Sequence, residues 1–116
     1  MESILLTIRT MLGVGEDYDG FDTAIMAGIN TAIFSLSQIG VGPDGGFNIT
    51  GEDETWTQLF DGVSNLNAVK SYIWLKTRLE FDPPTTSFLG DAIQRQIDQI
   101  EWRLQVEVDP DYVAEA

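Results

Sequence analysis

The sequence predicts an all-α domain, a small bundle of about four main helices near 3–12, 21–38, 65–81 and 87–106, with a minor helical turn near 55–60 and little or no strand. Three observations carry this reading. Apolar residues recur every three or four positions through four long stretches, as they do on the buried face of a helix. Glycines or prolines stand where those stretches end. Only Phe47-Asn48-Ile49 alternates as a half-buried strand or extended arm would.

Ser3 can cap a first helix whose Ile4, Leu5, Ile8 and Met11 or Leu12 share a face, with Gly13 just past its end. A loop with Glu16, Asp17 and Asp19 follows. Its Asp-x-Asp-Gly run invites a calcium-loop reading, but the glycine comes too early and no Glu stands at the twelfth position. The second helix places Phe21, Ile25, Ile29, Ile33 and Leu36 on one face and stops at Gly40. Gly28 in its middle, unfavourable for a helix, makes sense where another helix crosses closely. Past the turn-rich Gly40–Gly46 segment, Glu52, Asp53 and Glu54 lead into a short helix in which Trp56 and Phe60 are four apart.

The next helix is expected to be central and the most buried. Leu66, Val69, Tyr72, Ile73, Trp74, Leu75 and Leu79 cover more than half of its circumference. Ser64 or Asn65 can cap its start, and the Asp82-Pro83-Pro84 corner ends it near Phe81, because proline lacks the N–H and disfavours helix at the preceding residue. In the last helix Thr85, Thr86 and Ser87 offer caps, and Leu89, Ile93, Ile97, Ile100 and Leu104 face inward. Residues 1–106 read as a single helical domain and residues 107–116, broken by Pro110, as an acidic tail.

Composition narrows the function. With 43% hydrophobic residues and three Trp, the chain is too apolar to stay unfolded in spite of its charge. It has no cysteine and no histidine, which removes disulfides, thiolate metal sites and every Ser-His or Cys-His mechanism. We expect no enzyme activity and no cofactor. Magnesium chemistry on Glu52, Asp53 and Glu54 is a weak alternative, since consecutive acids without convergent partners usually form a solvated turn. The first residues lack a basic leader, and no run approaches the ~18 apolar residues of a membrane span, so a cytosolic protein is expected.

The charge is unevenly placed. The net charge is −13, yet Ser64–Leu79 holds Lys70, Lys76 and Arg78 and no acid, so this segment is +3 and the remainder −16. Free-standing nucleic-acid binding is disfavoured, because it depends on cations that displace counterions from phosphates.

The short first helix with its acidic loop, then DTAIMAGINTAIFSLSQIGVGP, then VKSYIWLKTRLEFDPP, then a helix containing QIDQIEWRL, follow one another in an order and at lengths that resemble the small head-tail connector proteins of tailed bacteriophages and prophages. The resemblance covers nearly the whole chain and is most specific at the K-x-Y-I-x-L-K-x-R-L-x-F-D-P-P segment. It implies a helical protomer that assembles as a homo-oligomeric ring beneath the portal protein and meets the next neck or head-closure protein. DNA would pass through the lumen without specific binding. It also implies assembly in the host cytoplasm and residence at the head-tail junction of the virion. Against that background, Lys70, Lys76 and Arg78 are candidates for pairing with acids of a neighbouring copy, or else they neutralise acids within one protomer. Asp82 is a candidate for fixing the corner. An acidic lumen would repel phosphates and let DNA slide. The rival reading is a small acidic DNA mimic that occupies the groove of a DNA-binding protein, which leaves the cationic helix unexplained.

Overall fold

The computed structural model describes residues 3–15, 18–43, 45–59 and 66–108. These residues form five helices: α1 (Ile4–Met11), α2 (Asp22–Gln38), α3 (Trp56–Leu59), α4 (Leu66–Phe81) and α5 (Ser87–Val108). Among the described residues there is no strand, only an isolated antiparallel bridge between Ser3 and Thr55.

Local chemistry sets the helix ends. Ser3 caps α1 by accepting from the Leu6 N–H at 3.3 Å. Both α1 and α2 close on a left-handed glycine: Gly13 has φ +81° and Gly40 +91°. In α2 the Gly40 N–H donates to the Ser37 carbonyl and the Val41 N–H to the Leu36 carbonyl, the paired bonds of a Schellman close, and Val41 is buried against the core. The same pattern ends α1, from Gly13 to Thr10 and from Val14 to Arg9. A capping box starts α3, where the Thr55 N–H donates to Gln58 Oε1 and the Gln58 N–H to Thr55 Oγ1. Of the candidate caps for α5, Thr86 serves, its hydroxyl accepting from the Leu89 N–H.

The core joins Ile4, Leu5 and Ile8 of α1, Ile25, Ile29, Ile33 and Leu36 of α2, Val69, Tyr72 and Ile73 of α4, and Ile93, Ile97 and Leu104 of α5. α4 is central in position, packing on α2 on one side and α5 on the other, with α1 against α2 and α4. Its burial fits that place: only Asn67 and Glu80 of its 16 residues are exposed, whereas α2 buries Ile25, Gly28, Ile29, Ala32, Ile33 and Leu36 but leaves a full outer face open. At the α2–α4 crossing a Cβ on Gly28 would lie 3.0 Å from Thr77 Cγ2 and 3.3 Å from Thr77 Cα, so the close approach favours glycine.

Two expected core residues lie outside. Phe21 stands just before α2 and is 47% exposed, in edge-to-face contact with Tyr18 and Phe81 rather than in the core. Leu89, in the first turn of α5, is 48% exposed. Both stand at the start of a helix. α5 runs two residues beyond the expected end near 106, taking in the first residues of the expected tail. The remainder of that tail, the Ser64 and Asn65 caps and the Trp56–Phe60 contact fall outside the described residues.

Candidate assembly surface

The three cations of α4 lie on different sides of the helix, and all are half-buried. Lys70 Nζ sits 5.4 Å from the centre of the Trp56 ring. Lys76 Nζ is 5.6 Å from the Tyr72 ring centre and 3.4 Å from Ser35 Oγ on α2. The aliphatic stems thus lie over apolar surface while the ammonium groups reach aromatic faces within the same chain. Arg78 is in the last turn of α4, where its charge opposes the negative end of the helix dipole. Asp82 is exposed, and its backbone N–H closes the corner by donating to the Arg78 carbonyl at 2.8 Å. Its carboxylate makes no hydrogen bond among the described residues.

The strongest electrostatic feature lies elsewhere. Arg9, on the apolar side of α1 one turn after Leu5, is only 1% exposed. Its Nε donates to Asp22 Oδ1 at 2.8 Å, one terminal nitrogen pairs with Asp22 Oδ2, and the same nitrogen reaches Glu52 Oε2 at 3.0 Å. The hydrogen bonds that Arg9 donates to Asp22, opposed by burial and reinforced by Glu52, hold the guanidinium in its charged form and raise its pKa. Arg9 therefore clamps three pieces of chain together: α1, the first residue of α2, and the segment before α3. A cation i+4 from a core leucine was the available sequence signal, and it points to a buried ion pair.

The segment from Phe47 to Thr55 is held at further points. The Asn30 side-chain amide pairs with the Ile49 backbone in both directions, at 3.1 and 2.8 Å, taking the place of a neighbouring strand. The Ile4 N–H donates to the Glu54 carbonyl, and the Trp56 indole N–H to Thr7 Oγ1. Burial raises the Glu54 pKa, but hydrogen bonds from Thr50 and Gly51 outweigh it, so its carboxyl titrates below the ordinary value. Glu52 and Glu54 are thus committed to different partners rather than to one common point.

Several large apolar side chains remain at the surface: Phe34 (62% exposed), Phe88 (73%) and Trp102 (51%), with the Tyr18–Phe21–Phe81 group. The described helices include none long and apolar enough to cross a membrane. The family model for phage connector proteins matches residues 4–111, all but the two ends of the chain. The chain belongs to the phage connector family. No curated protein and no solved structure matches it. Membership gives the chain a structural role at the head-tail junction of a phage, and the surface chemistry of this connector is that of a part that meets other proteins.

Proposed function

We propose that this connector assembles as a ring beneath the portal protein, meets the next neck or head-closure protein on its other side, and encloses the passage through which DNA moves between head and tail. The observation that carries this reading is the family match over residues 4–111. The charge supports it, because a net −13 wall repels phosphates and leaves DNA free to slide. The work is structural, with no reaction catalysed and no cofactor. Assembly takes place in the host cytoplasm and the finished ring resides in the virion. The helical domain provides the ring body, and the acidic residues after it provide the tail.

Lys70, Lys76 and Arg78, on more than one side of α4, and Asp82 at its corner are proposed as separate points of contact with neighbouring copies, the cations meeting acidic surface. Half-buried lysines retain exposed charge that can set register at an interface. The test is sedimentation of the chain with its cognate portal across a salt series, for the parent and for Lys70→Glu with Lys76→Glu. The double variant should associate more weakly, and added salt should weaken the parent too, since exposed charges are screened beyond a Debye length of about 8 Å at physiological ionic strength. Its thermal midpoint should fall modestly, because the contacts with Trp56 and Tyr72 are worth about 0.5–1 kcal/mol each. Unchanged association with a lowered melt would restrict the lysines to work within one protomer.

A further inference from the structure

We infer that neighbouring copies meet through two unpartnered helix faces, the outward face of α5 in one copy packing on the outward face of α2 in the next. This rests on the ring assembly proposed above and adds the surfaces that build it.

The α2 face is anomalous for this chain. Charged residues make up 22% of the sequence, yet none occurs from Thr23 to Pro43. Ala24, Ala27, Thr31, Phe34 and Gln38 follow one another at alternating steps of three and four, and all are exposed. An exposed but charge-free face that carries a large aromatic has the composition of an interface centre rather than of a solvated surface. Next to it, between Phe34, Ser37, Pro43 and Phe47, lies a groove of about 510 Å³.

α5 is two-faced. Ile93, Ile97, Ile100 and Leu104 pack inward, while Phe88, Ala92, Arg95, Gln99 and Trp102 form a second line at steps of four and three along the outside. That 3.5-residue repeat is the spacing at which one helix presents a continuous seam to another. At 22 residues α5 is longer than the 17-residue α2, so the α2 face can lie along it for its whole length.

Charge selects a second copy as the occupant. Copies of a −13 chain repel one another, and the α2 face is where they can approach without opposing like charges. Arg95 and Arg103 on α5 are exposed and form no ion pair among the described residues, with exposed Asp91 and Asp98 flanking Arg95, whereas Asp19 stands exposed just before the start of α2. Arg95 and Arg103 of one copy can thus reach the acidic border of the α2 face of another. Because α4 lies between α2 and α5, the two faces look in different directions, and using one leaves the other open for the following copy. Contacts of this kind are head-to-tail and continue around a ring.

The absence of cysteine makes the test direct. Single variants Ala27→Cys, Thr31→Cys and Phe34→Cys are each mixed with Arg95→Cys, Gln99→Cys and Trp102→Cys. Assembly of each mixture, alone or on the portal, is confirmed by sedimentation before mild oxidation. Disulfide-linked dimers should form between α2 and α5 variants, with same-face pairs largely absent. Assembled material that gives no α2–α5 link, or mainly same-face links, would overturn the inference and leave the ring intact. Failure to assemble both alone and with portal would count against the ring itself, and the inference would fall with it.

Discussion

Replacing Arg9 with Met keeps the length and apolar stem of the side chain but removes the charge that Asp22 and Glu52 share. Asp22 is only 21% exposed and would lose its partner, so we expect a loss of about 3 kcal/mol in urea unfolding, with much of it recovered when Asp22→Asn is added. A loss below about 1 kcal/mol would show that the carboxylates rehydrate freely. Tyr72 tests the opposite situation. Its hydroxyl is buried beside α5, near Glu101 and Ser35 but without a hydrogen bond of good geometry among the described residues, and burial, reinforced by Glu101, raises its pKa well above the phenol value. A folded pKa above the unfolded value of about 10 means that this group's contribution is intact below pH ~10 and is lost as the pH rises beyond it. Tyr72→Phe should therefore be at least as stable as the parent at pH 7, with an advantage that widens above pH 10. Matched denaturant melts at the two pH values measure this, and a variant clearly weaker at pH 7 would show that the hydroxyl has a partner. Neither residue was legible as a site. The sequence shows where apolar positions recur, but pairing Arg9 with acids 13 and 43 residues away depends on how α1, α2 and the Glu52 segment come together.

Helix ends were the most legible features, because they depend on neighbouring residues alone. Gly13, Gly40 and the Asp82-Pro83-Pro84 corner stop their helices by backbone conformation or by a missing donor. Periodicity was less reliable at helix starts: it put Phe21 and Leu89 on inward faces, but both side chains are about half exposed there. Gly28 lay between these cases, since its cost in a helix suggested a crossing without naming Thr77 as the partner. Gly28→Ala gains helix propensity of about 1 kcal/mol, but the new methyl meets Thr77 backbone as well as side chain. Overpacking should prevail, with a net loss of about 1–3 kcal/mol by chemical denaturation. A variant as stable as the parent would mean that α2 and α4 can separate slightly without loss.

At the scale of the whole molecule, the central cationic helix was visible as a +3 segment in a −13 chain, but its lysines proved to be engaged with Trp56 and Tyr72 of their own protomer. The charge-free outer face of α2 became a candidate contact only once the fold showed which of its residues remain exposed. The central claim is that the connector acts as a closed assembly on the portal. Native mass spectrometry of the chain alone and with its cognate portal tests it most directly. One dominant species is expected whose mass, alone or after subtraction of the portal, corresponds to several copies of the 12.9 kDa chain. Monomer at every concentration, with no portal-bound species, would contradict it.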